Sequence, residues 1–153
     1  MKLFGFRALI TTRLEKNFGT WLREYRPIYT PLEAGMERAM KFDYDFIGRA
    51  AVEAEMKTGP ARKLVTFTVD VDQDPPADVI GDEPVFHSGK VVGRTTIGGY
   101  AHYSGVSLAM GYIPAELAKA GTTGFDIEII GNMRRASLQL EPVVDPSGSR
   151  MRA

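Results

Sequence analysis

Val85 to Pro114 reads VFHSGKVVGRTTIGGYAHYSGVSLAMGYIP. Two short extended runs meet at Ser88-Gly89. A longer run is interrupted at Gly98-Gly99, and a break at Ser104-Gly105 leads into a run that ends at Pro114. Short apolar runs cut by Gly and Ser at close intervals are the pattern of small antiparallel strands in a sandwich or barrel. The stretch therefore decides the fold class of the region around it.

Downstream, the sheet continues. Pro114 sits where a first helical turn tolerates it, and residues 115–120 are expected to form a short helix before Gly121. Phe125, Ile127 and Ile129 alternate with Asp126 and Glu128, Gly131-Asn132 reads as a turn, and Ala136, Leu138 and Leu140 alternate in a last strand that Pro142 ends. Upstream, Val65, Phe67, Val69 and Val71 alternate with Leu64, Thr66, Thr68 and Asp70, which predicts a half-buried strand followed by a loop over 72–82. Residues 64–141 thus read as one closed or nearly closed unit of six or seven strands.

The first 57 residues have a different period. Leu3, Phe6, Ile10 and Leu14 are spaced for one face of a helix. Residues 17–29 are irregular, and 30–35, Thr-Pro-Leu-Glu-Ala-Gly, form a turn-like connection, since Pro31 keeps Thr30 out of the helical region. Alternation over 36–42 suggests a strand. Asp45 is a candidate N-cap for a helix over 46–57, with Ile47, Ala50, Ala51 and Ala54 inward, and Gly59-Pro60 stops it. A single strand cannot complete a sheet, so this helix–strand–helix fragment must pack on the barrel or pair with another chain. The expected architecture is α+β: a small fragment at 1–57, an antiparallel β-barrel at 62–141 and a tail at 142–153.

Composition narrows the function classes. Lys plus Arg and Asp plus Glu both number 19, so there is no basic excess to argue for nucleic acid. The absence of cysteine excludes disulfides and thiolate chemistry. No apolar run is long enough to span a bilayer, and the first residues lack a signal-peptide block; a cytoplasmic protein is expected. His87 and His102 read as ordinary hydrogen-bonded histidines rather than ligands. The acidic series Asp70, Asp72, Asp74, Asp78 lacks the glycine and closing glutamate of an EF-hand. Ser88, Ser104 and Ser107 lie outside any nucleophile elbow. Gly98-Gly99 lacks phosphate-loop spacing and reads as a bulge or a close approach. Arg13, Glu15, Lys16, Arg23, Glu24 and Arg26, interleaved with Trp21 and Tyr25, could hold a flat carboxylate-bearing ligand by stacking and forked hydrogen bonds. On physical grounds alone, a surface loop with ordinary ion pairs is the reading to prefer.

Several ordered motifs together resemble the glycine-cleavage T-protein (aminomethyltransferase) superfamily. They are Gly5-Phe6-Arg7-Ala8-Leu9 with Arg13-Leu14-Glu15-Lys16, Thr30 to Gly35, Asp45 to Arg49, Thr95 to Tyr100 and Ser107 to Tyr112. Glu141-Pro142, Asp145-Pro146 and Arg150-Met151-Arg152 are more similar to the T-protein-like C-terminal region of dimethylglycine and sarcosine dehydrogenases. The resemblance implies an aminomethyltransferase-like role in one-carbon transfer to tetrahydrofolate, with Arg13, Glu15 and Trp21 as ligand-binding candidates for folate or a substrate carboxylate. It also implies that the family's catalytic aspartate, and the flavin domain of the dehydrogenases, lie outside these residues. Arg38 stands where T-proteins carry tryptophan, and Val106 where the dehydrogenases carry lysine. The expectation is a chain that is not catalytic alone, works with a partner supplying the missing half or a flavin subunit, and self-associates. The alternative is a purely non-catalytic binding or assembly module.

Overall fold

The computed structural model describes residues 3–71 and 77–152. The acidic residues Asp72 and Asp74 and the prolines Pro75 and Pro76 lie outside the described residues. Among the described residues the elements run α1 (Phe6–Glu15), a 3-10 turn (Glu37–Ala39), α2 (Arg49–Thr58), β1 (Arg62–Val69), β2 (Pro84–His87), β3 (Lys90–Ala101), β4 (Val106–Pro114), β5 (Phe125–Ile129) and β6 (Asn132–Gln139). The six strands form a closed antiparallel barrel in the order β1-β4-β3-β2-β5-β6, and β6 returns to β1. This is the expected α+β architecture of helices followed by a barrel.

The period-two pattern fills the barrel. Val65, Phe67 and Val69 of β1, Ala109 and Ile113 of β4, and Phe125, Ile127 and Ile129 of β5 form one buried cluster with Val79 and Val85. Phe67 and Phe125 meet edge to face at 5.2 Å between ring centroids, a favoured aromatic geometry. β4 is buried on both faces. Its outward residues Leu108 and Met110 join Leu14 and Ala101 in a second cluster beneath α1. That is why β4 reads as a nearly continuous apolar run rather than an alternating one. Gly98 is a close approach: an added Cβ would meet Val79 Cγ1 at 2.6 Å and the Leu108 carbonyl at 2.7 Å. β3 runs through this point unbroken, and its register irregularity falls earlier, between Thr95 and Ile97.

Two hairpins use two-residue loops with consecutive positive φ, the pattern of a type I′ turn, which suits strand twist. Ser88 and Gly89 have φ 51° and 76°, and Ile130 and Gly131 have 49° and 74°. The second loop lies one residue earlier than Gly131-Asn132, with Ile129 opposite Asn132 and Phe125 opposite Ala136.

Four local expectations are corrected. Residues 36–42 are not a strand: Ala39 and Met40 N–H donate to Met36 and Glu37 carbonyls in a 3-10 turn. The barrel is closed, so no sheet edge remains for such a strand to join. α2 starts at Arg49 behind Gly48 (φ 92°), while the Asp45 carboxylate takes only the neighbouring Phe46 N–H at 3.0 Å. Its buried residue is Val52, and Ile47, Ala50, Ala51 and Ala54 are exposed. Residues 115–120 form turns and bends, not a helix: the Leu117 and Ala118 N–H groups return only three residues, to the Pro114 and Ala115 carbonyls. In α1 only the C-terminal end is buried; Leu3 and Phe6 are exposed.

Candidate functional site

The end of α1 is the most heavily bonded part of the N-terminal region. Asn17 takes the left-handed conformation that commonly closes a helix, with φ 55°. The Phe18 N–H then returns to the Arg13 carbonyl at 2.9 Å. This reversal brings the loop under Arg13, whose Nη1 donates to the Phe18 carbonyl at 2.8 Å and to Glu24 Oε2 at 3.1 Å. The same carboxylate oxygen accepts the Thr20 N–H at 2.7 Å and the Thr20 hydroxyl at 3.2 Å. Glu24 is 0% exposed, yet its Oε1 and the Arg13 Nε have no hydrogen-bond partner.

Glu15 faces the barrel. Its Oε1 accepts the Ser104 N–H at 2.9 Å and the Ser104 hydroxyl at 2.7 Å, in the β3–β4 hairpin. Its backbone carbonyl accepts the Val144 N–H at 3.1 Å. Next to it, Lys16 Nζ donates to the Asp145 carbonyl at 2.6 Å and pairs with its carboxylate at 3.2 Å. Desolvation pulls the Asp145 carboxyl upward. The Arg150 N–H, the Lys16 ammonium and the Ser149 hydroxyl outweigh it and hold the group below the ordinary carboxylate value. Arg150 in turn reaches the Tyr103 hydroxyl at 3.1 Å. Helix, hairpin and tail are thereby tied together at one point.

The three residues singled out from sequence therefore divide. Arg13 and Glu15 are buried, each bonded to a different part of the protein. Trp21 is 76% exposed and meets Tyr25 edge-on at 6.0 Å. Phe18 and Leu22 lie exposed near it in the chain. Of Arg13, Glu15 and Trp21, the tryptophan alone presents a surface to solvent. Its ring could stack on a flat ligand, whereas the orphaned Arg13 Nε and Glu24 Oε1 are buried out of a ligand's reach, and Trp21 lines neither the groove at Tyr112 nor the cleft beside β1.

A second constellation was not legible in the sequence, because its members come from four separate segments. Tyr29 stacks on Tyr112 of β4 with 3.7 Å between ring centroids and 13° between planes. The Arg62 guanidinium lies 5.0 Å from the Tyr29 ring centre and donates to Glu33 Oε1 at 2.9 Å. Arg94 donates through Nη1 to Asp82 Oδ1 at 3.3 Å, and the neighbouring Tyr29 phenol, with Asp82, holds its guanidinium above the ordinary arginine value. Tyr29, Tyr112, Arg62, Arg94 and Asp82 line a groove of about 650 Å³ with Val91, Val92, Ile113 and Pro114. Burial, with Tyr29 and the neighbouring acids, pushes the Tyr112 phenol far above its ordinary value, and its hydroxyl donates to the Glu24 carbonyl at 2.7 Å. A further cleft of about 420 Å³ lies between residues 32–35 and β1.

No group of three or more His, Cys, Asp or Glu among the described residues is arranged to hold a metal ion. His87 Nε2 lies 3.1 Å from the Thr123 carbonyl, and His102 meets Tyr100 edge-on at 5.1 Å. No helix among the described residues is long and apolar enough to cross a membrane.

Residues 62–145 match the family described as the glycine cleavage T-protein C-terminal barrel domain. Mitochondrial dimethylglycine dehydrogenase of Mus musculus is 38% identical over 152 residues, covering 97% of this chain and 17% of that protein. An aminomethyltransferase of Synechocystis is 33% identical over 129 residues, 83% of this chain and 33% of that protein. The crystal structure of glycine cleavage system aminomethyltransferase T from Bartonella henselae superposes with a TM-score of 0.81 at 25% identity, over 95% of this chain and 40% of that one. The chain thus spans about a sixth of the dehydrogenase and about two fifths of the solved aminomethyltransferase.

Proposed function

Because the chain belongs to the glycine cleavage T-protein family through its C-terminal barrel domain, we propose that it contributes one wall of a tetrahydrofolate site in an aminomethyltransferase-like protein. The reaction served is one-carbon transfer to tetrahydrofolate during breakdown of glycine, dimethylglycine or sarcosine. The observation carrying this reading is the contrast at the end of α1: Trp21 stands free while Arg13 and Glu24 are locked beneath the loop that presents it. Trp21 supplies the stacking face for the ligand ring. Arg13 and Glu15 act by fixing that face to the barrel. A folate site needs walls on several sides, so the chain is not catalytic alone, and a partner supplying the remaining walls, or a flavin-bearing subunit, completes it. The cytoplasm is the compartment proposed; cell fractionation that found the protein in mitochondria would replace it.

Trp21 is the chain's one tryptophan, so its fluorescence reports on this face alone. Tetrahydrofolate added to the 153-residue chain at millimolar concentration is expected to give no calorimetric heat and no blue shift. Addition of the upstream portion of a dimethylglycine dehydrogenase-like protein is expected to restore both. Binding by the chain alone would sink the shared-wall reading.

A second reading, a non-catalytic assembly module, is favoured by the exposed apolar residues Leu3, Phe4, Phe6 and Leu22. Faces of this kind mark interaction surfaces. Self-association is expected in analytical ultracentrifugation at high concentration, and a strictly monomeric mass there would remove it.

A further inference from the structure

We infer that the groove between Arg62 and Arg94 is a binding site for a small aromatic monocarboxylate, distinct from the Trp21 face. Charge is the first argument. Arg62 and Arg94 line the groove, Arg23 reaches its edge at Asp82, and two carboxylates pair with these three arginines. Glu33 pairs with Arg62 at 2.9 Å, whereas Asp82 is shared by Arg94 at 3.3 Å and Arg23 at 3.7 Å. One positive charge is left over, which a single anion would balance.

The free donors point the same way. Arg62 uses Nε on Glu33 and Nη2, at 3.4 Å, on the Ile28 carbonyl. Arg94 uses Nη1 on Asp82. A guanidinium has five N–H donors, so both retain unused ones in the planar array that fits a carboxylate. Both side chains are about half exposed, 46% and 49%, and so remain open to a ligand.

The backbone sets the width. Arg94 of β3 pairs with Tyr112 of β4, and Arg62 of β1 pairs with Pro114 two residues on. Arg62 and Arg94 thus rise from strands either side of β4, about 12 Å apart given two strand spacings and a two-residue offset. The stacked tyrosines, Val92, Ile113 and Pro114 give the groove an apolar lining. That selects a flat apolar body carrying the charge rather than a bare inorganic ion. This inference does not depend on the folate reading, since neither Trp21 nor any residue of 17–26 lines the groove.

The test is a two-dimensional amide NMR titration of the whole chain with benzoate, phenyl phosphate and benzyl alcohol. Benzoate is expected to shift the Arg62, Gly93 and Arg94 amides saturably at millimolar concentration, and benzyl alcohol to leave them unmoved. Double substitution R62Q/R94Q is expected to weaken benzoate at least tenfold while circular dichroism stays native. Absence of benzoate shifts in the unaltered protein would overturn the proposal, whatever the variant does. So would equal shifts from benzyl alcohol, tighter binding of phenyl phosphate than of benzoate, or undiminished binding by a folded double variant.

Discussion

Ile130 is a β-branched residue held at φ 49° in the β5–β6 turn, with its side chain 80% exposed. The left-handed region costs an L-residue about 1–2 kcal/mol, and asparagine tolerates it far better. Ile130→Asn is therefore expected to stabilise the protein by about 1 kcal/mol, raising the thermal midpoint by roughly 2–4 °C in a calorimetric scan. An unchanged or lower midpoint would show that Ile130 contributes packing the turn needs. The buried Arg13–Glu24 pair has the opposite sensitivity. Glu24→Ala leaves a guanidinium in the interior without its counter-charge, at a cost of about 3–5 kcal/mol in urea unfolding. The double change R13L/E24L is expected to cost clearly less than E24A alone. Arg13 was conspicuous in the sequence because it sits in a motif, but its partner was not. Whether an arginine meets a ligand or a glutamate eleven positions on depends on the Asn17 reversal, and no local pattern announces that reversal.

At the scale of elements, strands were legible and the N-terminal fragment less so. Val65, Phe67 and Val69, and likewise Phe125, Ile127 and Ile129, alternate because one side faces the barrel interior. The alternation over 36–42 has no such cause and yields a 3-10 turn. Gly98→Ala would drive a methyl into Val79 and the Leu108 carbonyl, and a loss of about 1–3 kcal/mol is expected in urea unfolding. The tail is held by charge. Asp145 has a folded-state value below that of a free carboxyl, so its contribution is complete above the unfolded value of about 3.9. It is lost as pH falls through the lower folded value. Amide exchange of residues 143–150 is expected to quicken across that acidic window, and Asp145→Asn to abolish the acid dependence. Exchange indifferent to pH beyond its intrinsic dependence would contradict the clamp.

Over the whole molecule, barrel closure follows from six inward-facing strands, whereas the strand order does not: β1 lies between β4 and β6, its neighbours in space and not in sequence. The seam joining β1 to β6 is short, Thr66 to Val69 against Ala136 to Gln139, while β1 and β4 pair along Arg62 to Val69. Native-state hydrogen exchange is expected to be slowest in β4, which is buried on both faces, and faster along the β6 seam. The reverse order would mean that the seam is the more stable side. The same join has a consequence during synthesis. Thr68 and Ser137 are 69 residues apart, so one flank of β1 emerges from the ribosome long before its permanent neighbour exists. Until then the nascent chain carries an open edge able to recruit a foreign strand, and the domain can ring shut only after translation has passed β6.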